Sequence, residues 1–275
     1  MFDDLTDNEF ELFSKLIYTK AGINLHTGKK ELLRARLAKR LRSSNFHNFQ
    51  EYYDYVLQDK SGEELVRLLD SVSTNLTSFF RESKHFQFLA DEVLPGLLAD
   101  KKRGAKIRIW SAGCSSGEEP YSLVMTILEH KAITPAALNL KILATDISTR
   151  VLAIAKQGIY PEERCKDINS NILKKYFQKG QGRWQGYVQV KPMVRNCIQF
   201  MRHNLMEPGP WKEPMDIIFC RNVMIYFDKN TQEKVVNTFY SALGEGGYLF
   251  IGHSESLTGT KHAFKYARPT VYQKK

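Results

Sequence analysis

At Ile107 the sequence changes rhythm. From there short apolar runs alternate with helical segments: IRIWS, a helix from about Glu119 to His130, KILATD, a helix from Thr149, IQFMRHN, MDIIFC, a helix near Gln232 to Leu243, and GYLFIG. Apolar strands spaced by amphipathic helices pack as a mainly parallel sheet with helices on its faces, so an α/β domain is expected. The tail FKYARPTVYQK supplies a final strand pair. One segment breaks the alternation, QKGQGRWQGYVQVKPMVRN between the helix ending near Phe177 and the strand at Ile198. Gly180, Gly182 and Gly186 suit a tight turn, and Tyr187, Val188 and Val190 favour extended backbone. A small antiparallel β-subdomain is therefore expected as an insertion at about 178–196.

Upstream of the change nothing alternates like a sheet. NEFELFSKLIYTKAGI carries Phe10, Phe13, Leu16 and Ile17 at the i, i+3, i+4 spacing of an amphipathic helix, with Gly22 as its stop. In GKKELLRARLAKRLRSS, Leu33, Leu37 and Leu41 share a face, and Lys29, Arg36 and Arg40 line an adjacent stripe. FQEYYDYVLQ and GEELVRLLDSV read as two more short helices. Pro95, Gly96 and Gly104 in DEVLPGLLADKKRGAK mark the transition. The expected organisation is an all-α domain over 1–90, a linker over 91–106, and the α/β domain over 107–275.

At 275 residues, 43% apolar and 25% charged, the chain is an ordinary globular protein of one large or two smaller domains. No apolar run approaches the ~20 residues of a membrane span, and the opening MFDDLTDNEF lacks a signal pattern. Cys114, Cys165, Cys197 and Cys220 form no CxxC pair and have no histidines at zinc spacing. Reduced packing cysteines, no metal and a cytoplasmic location are expected. The net charge of +10 calls for an acidic partner. Its densest part lies between His26 and Arg42, with seven Lys or Arg against Glu31 alone. No exposed heptad seam is present, so a monomer is expected.

In an open α/β sheet, ligands lie beyond the carboxyl ends of the strands. The first such end carries AGCSSGEEP and the second Ala144-Thr145-Asp146. An acid there suits ribose hydroxyls; an aspartate ending a strand also serves as a turn or helix cap. The loop has only Gly113 and Gly117 in place of GxGxxG, and a pyrophosphate would meet Glu118 and Glu119. That disfavours NAD and ATP. S-adenosylmethionine has ribose hydroxyls, a cationic sulfonium and amine, and no phosphate, so carboxylates suit it. The glutamates could equally serve the dipole of a helix N-terminus.

SAGCSSGEEPYSL, the preceding TNLTSFFRE, LATDIS, HNLM and CRNVMIYF together resemble the chemotaxis receptor methyltransferases, the CheR family, essentially end to end. The resemblance implies an S-adenosylmethionine-dependent, Rossmann-like methyltransferase domain with an inserted β-subdomain behind an all-α N-terminal domain. It implies transfer of the methyl group to glutamate side chains on the cytoplasmic helical bundle of chemoreceptors, with S-adenosylhomocysteine as product. It assigns cofactor contacts to Asn75, Thr77, Arg81, Glu118, Asp146, Asn204, Leu205, Arg221 and Asn222, and places Arg81 and Tyr226 closest to the methyl group. Taken singly these residues have plainer readings: an Arg81–Glu82 surface ion pair, a half-buried Tyr226, capping by Asn75, Thr77 and Asn204. The loop with Gly180, Gly182 and Gly186 resembles that of members that dock a receptor carboxyl-terminal peptide by strand addition; a plain hairpin tip is the alternative. Lys29, Arg36 and Arg40 fit steering toward acidic receptor helices, or a solvated face.

The chemistry so implied needs no general base, because a glutamate of pKa ~4.3 is ionised at neutral pH. A nucleic-acid methyltransferase is the first rival. CRNVMIYF stands where amino-methylating enzymes carry (D/N)PP(Y/F), and Cys220 follows Phe219 rather than a proline. No specific nucleic-acid partner is expected. A non-enzymatic adaptor would have lost Arg81, Asp146 or the Arg221–Asn222 pair.

Overall fold

The computed structural model describes residues 4–44, 46–100, 106–130 and 139–275. Four helices open the chain: α1 (Asp7–Ala21), α2 (Lys30–Arg42), α3 (Phe49–Gln58) and α4 (Glu63–Val72). The first is set at both ends by its sequence. Thr6 and Glu9 form a reciprocal capping box, and Gly22 closes the helix at φ 71°. Phe10, Phe13 and Ile17 of α1, the Leu33/Leu37/Leu41 face of α2, Tyr52 of α3 and Leu68 of α4 meet in one core. The leucine stripe expected in α2 is thus the buried one.

The second domain is a seven-stranded sheet in the order β6-β2-β1-β7-β8-β10-β9. Its strands are β1 (Lys106–Ala112), β2 (Asn139–Asp146), β6 (Ile198–Arg202), β7 (Met215–Cys220), β8 (Leu243–Ile251), β9 (Lys265–Arg268) and β10 (Val271–Gln273). From β6 to β8 every pairing is parallel, and β9 and β10 form the antiparallel pair expected of the tail. The chain starts in the middle and steps first one way, then the other, which puts the topological switch point at the end of β1. Helices α7 (Glu118–Leu128), α8 (Thr149–Gln157) and α11 (Lys229–Ala242) follow β1, β2 and β7.

The sequence pattern drew the domain boundary near 90, with a linker over 91–106. In the structure Phe79, Phe86, Phe88, Leu89, Val93 and Leu94 are buried in the core of the sheet domain beside Ile109, Leu123 and Phe250. Residues 83–100 form α5 (Ser83–Phe88), a π turn over Leu89–Val93 and α6 (Leu94–Asp100). Pro95 does not break this run, because it stands in the first turn of α6, where a missing N–H is tolerated. The linker's 101–105 lie outside the described residues.

The β-subdomain is a three-stranded antiparallel sheet, β3-β5-β4, built from β3 (Ile159–Pro161), β4 (Phe177–Lys179) and β5 (Tyr187–Val190). It recruits residues well upstream of the expected insertion at 178–196, because a three-residue strand is too short to show alternation. Short helices α9 (Ser170–Tyr176) and α10 (Pro192–Arg195) flank it. Phe79 packs edge-on against Tyr160 of β3 and Phe177 of β4, which ties this sheet to the segment leading into α5.

Candidate functional site

The carboxyl ends of β1, β2, β6 and β7 open into a cleft of about 1000 Å³ counting its open mouth. Three parts of the chain wall it: the end of α1 with Ile23, the stretch from Val72 to Arg81, and the loops after those four strands. The helical domain is fastened across the cleft by two main-chain links and one side-chain hydrogen bond. Asn24 N donates to the Tyr226 carbonyl at 2.8 Å, Ile23 bridges to Phe227, and Asn204 Nδ2 donates to the Lys20 carbonyl at 2.6 Å.

The β1 loop is shaped by what it must approach. Gly113 has φ +83°, and a Cβ there would meet Val223 Cγ2 at 2.4 Å, so only glycine fits. The amides of Gly113 and Cys114 both donate to the Thr145 carbonyl at 2.8 Å, fixing the loop to the end of β2. Asp146 then takes the Ser115 amide at 2.8 Å and the Ser148 amide at 2.9 Å. Burial raises its carboxyl above the ordinary value, and these amides pull it back.

A second polar group lies at the end of β7. The Arg221 guanidinium, 2% exposed, pairs with Glu82 at 2.9 Å and Glu119 at 3.2 Å and donates to the Arg81 carbonyl. Burial would raise the Glu82 carboxyl, but Arg221 and the His253 amide hold it below its usual value. Glu119 is raised by burial, with Arg221 and the Ser111 hydroxyl opposing. Asn222 stands at φ +59°, a strained setting held by Glu255. That carboxylate accepts the amides of Asn222 (3.0 Å), Val223 (2.9 Å), Ile225 (3.3 Å) and Gly252.

Asn75, Thr77, Arg81, Asp146, Asn204, Leu205, Arg221, Asn222 and Tyr226 all line this one cleft. Glu118 does not. It is fully buried behind the loop, paired with Arg164 at 2.7 Å and bonded by the Ser116 hydroxyl, and its neighbour Glu119 lines the cleft instead. Consecutive helical residues point about 100° apart, so only one of the two can face in. His203 also lines the cleft. Asn75 Nδ2 and His203 Nε2 are buried with no hydrogen-bond partner.

The residues set aside for receptor contact are not equivalent. Lys29 is exposed. Arg36 donates to the Val72 carbonyl and, at 2.8 Å, to Thr74 Oγ1, bracing the cleft wall. Arg40 forms a two-pronged pair with Glu64 at 2.8 Å on each prong, Glu64 being 4% exposed. In the β-subdomain, Gly182 and Gly186 take φ +57° and +81°, and a Cβ on Gly180 would strike the Trp184 carbonyl at 2.1 Å. β4 is a free edge of its sheet, with Trp184 43% exposed nearby.

A strand-end aspartate, a glycine-cradled loop, orphaned buried polar atoms and a wall of carboxylates whose arginine is already committed fit a cationic nucleoside. That is the site of an S-adenosylmethionine-dependent methyltransferase, and S-adenosylmethionine is the cofactor. Residues 75–273 match the profile described as "CheR methyltransferase, SAM binding domain" and residues 8–73 the profile "CheR methyltransferase, all-alpha domain". The chain belongs to the CheR methyltransferase family. It is 42% identical over 274 residues to a "Chemotaxis protein methyltransferase" of Borreliella burgdorferi, covering 98% of this chain and 95% of that one. It is 38% identical to the protein of the same description from Escherichia coli, covering 98% and 91%. Among solved structures it is similar to the N-methyltransferase NodS from Bradyrhizobium japonicum with S-adenosylhomocysteine, at TM-score 0.34 and 15% identity over 63% of this chain and 62% of that one. Among the described residues no helix is long and apolar enough to cross a membrane.

Proposed function

We propose that this enzyme methylates glutamate side chains on the cytoplasmic helical bundle of chemoreceptors, giving methyl esters. The observation that carries the reading is the cleft wall, which Glu119 and Asp146 line and where the Arg221 guanidinium is already paired with Glu119 and with Glu82. Carboxylates with their arginine already committed suit a sulfonium and an amine. When bound, S-adenosylmethionine supplies a methyl group on a positively charged sulfur.

The chain's own residues then have four tasks. Asp146 accepts hydroxyls of the ribose. Asn75 Nδ2 and His203 Nε2 offer polar atoms that no protein group uses. Arg81, whose Nη1 is held by the Leu76 carbonyl at 2.9 Å, and Tyr226 orient the incoming carboxylate. The helical domain, bonded across the mouth, excludes water, which favours a displacement that joins opposite charges. The transfer would make one oxygen–carbon bond for the sulfur–carbon bond given up, and it would ask no proton of these residues. Exposed Lys29 assists encounter with acidic receptor helices. The free β4 edge and the glycine turn at 180, 182 and 186 accept a receptor peptide by strand addition.

The test is transfer of labelled methyl from S-adenosylmethionine to a chemoreceptor cytoplasmic fragment, with calorimetry of S-adenosylhomocysteine binding to wild type and Asp146→Ala. Label that mild alkali releases as methanol, together with binding that the variant loses, supports the proposal. Alkali-stable label, or no transfer by a protein that binds the cofactor, refutes the glutamate reading.

A further inference from the structure

Beside the cleft, at the same Glu82 oxygen that Arg221 holds at 2.9 Å, two histidines with no role in the reaction above converge, His85 and His253. One ligand-type atom of each of these three side chains lies within 4.8 Å of the other two. Glu82 Oε2 is 3.4 Å from His85 Nδ1 and 3.8 Å from His253 Nε2. A tetrahedral zinc ion with ligand bonds of ~2.0–2.1 Å has ligand–ligand edges of ~3.3–3.4 Å. Two of the three edges are already near that length. His253, its side chain 49% exposed, is free to swing in for the third and leaves the site open to water.

Hydrogen bonding fixes the chemistry of His85. Its Nε2 lies 2.8 Å from Thr270 Oγ1, whose own proton goes to the Pro269 carbonyl at 2.6 Å. Thr270 can only accept, so Nε2 carries the hydrogen and Nδ1 presents a lone pair. The ring is 3% exposed, and its Nδ1 is buried without a hydrogen-bond partner. A lone pair therefore faces a carboxylate oxygen 3.4 Å away with nothing positive between them. The Thr270 bond is the outer-shell device that orients a metal-binding imidazole. Glu82 holds its place in the left-handed region at φ 57°, a strained setting of the kind found at functional sites. Arg221 is shared between Glu82 and Glu119, so two carboxyl groups answer one cation.

We propose that Glu82, His85 Nδ1 and His253 Nε2 bind a divalent ion of the zinc class, with water in the fourth position. Two neutral imidazoles and one carboxylate are a ligand set that zinc accepts. Glu82 is common to this site and to the Arg221 ion pair in the cleft wall. An ion that takes over the carboxylate loosens Arg221, so zinc lowers cofactor affinity from outside the cofactor's own site.

The experiment is calorimetric titration of tag-free, chelator-treated protein with Zn²⁺, for wild type, His253→Ala, His85→Gln and the exposed control His47→Ala. The expected result is one site of micromolar affinity in wild type and in the control, weakened at least about tenfold in the other two. Co²⁺-loaded wild type should show the visible bands of a four-coordinate site, and His253→Ala should not. Because His253 is a surface side chain, its variant is informative even where His85→Gln fails to fold. No zinc binding, or equal binding by wild type and His253→Ala, overturns the site. Saturating Zn²⁺ should weaken S-adenosylhomocysteine binding in wild type and His47→Ala but not in His253→Ala. Zinc bound with unchanged cofactor affinity overturns the coupling.

Discussion

Glu255→Gln should damage cofactor binding although the side chain touches no ligand. The carboxylate is 8% exposed and accepts four backbone amides, two on each oxygen: Val223 and Ile225 on Oε1, Asn222 and Gly252 on Oε2. Gln has nearly the same shape but only one acceptor oxygen. Its NH₂ group would face two N–H donors, so two charge-assisted bonds of ~1.5–3 kcal/mol each are lost. Against this, a neutral amide is easier to bury than a carboxylate, whose protonation burial already favours here. The net expectation is a loss of about 2–4 kcal/mol in unfolding free energy, read from urea titration. The freed segment carries Asn222 at φ +59° and the cleft residues Val223 and Tyr226. Calorimetry should therefore show at least about tenfold weaker S-adenosylhomocysteine binding, equivalent to ~1.4 kcal/mol. A variant with wild-type midpoint and wild-type affinity would refute the claim that this one carboxylate shapes the β7 loop.

Gly113→Ala combines φ +83° with a 2.4 Å approach to Val223, and ~2–4 kcal/mol of destabilisation with loss of cofactor binding should appear in thermal and calorimetric titrations. Turnover at saturating substrates should stay roughly flat from about pH 6 to about pH 9, because the nucleophile is ionised throughout; a tenfold rise per unit in stopped assays would show that a base is required. Burial raises Asp146, so on acidification it protonates earlier than an ordinary aspartate. Cofactor affinity should accordingly fall on acidification at a higher pH than an ordinary aspartate would give, as calorimetry across a pH series would show. Arg40→Ala leaves buried Glu64 only its longer 3.7 Å ion pair with Arg67 and should lower stability by ~3 kcal/mol in denaturant titrations. Lys29→Ala should leave stability unchanged and weaken receptor encounter only at low salt.

The α/β domain was legible because its strands are short apolar runs, and the cleft followed from the rule that ligands sit at strand ends. Asp146, Asn204 and Arg221 stand just there. What the sequence hides is orientation. Nothing in GEEP tells which glutamate turns inward, and nothing in RARLAKR shows that Arg36 and Arg40 reach back to Val72 and Glu64. His203 and Glu255 were missed because their partners lie far along the chain, at Trp110 and in the β7 loop. The boundary near 90 failed because a helix bears no mark of the core it joins, and Phe79, Phe86 and Phe88 turn toward the sheet.

The bonds that run from Lys20, Ile23 and Asn24 across to Asn204, Tyr226 and Phe227 have a thermodynamic consequence. The helical bundle and the sheet own separate cores, and the cofactor cleft is walled by both. A ligand held between two cores stabilises their association by RT ln(1 + [L]/Kd), in addition to any effect on either core alone. Filled, the molecule should melt as a single cooperative unit; emptied, the bundle is the part that can loosen first. The same small molecule that donates the methyl group thus acts as a strut between the face that would meet a receptor and the sheet that performs the reaction.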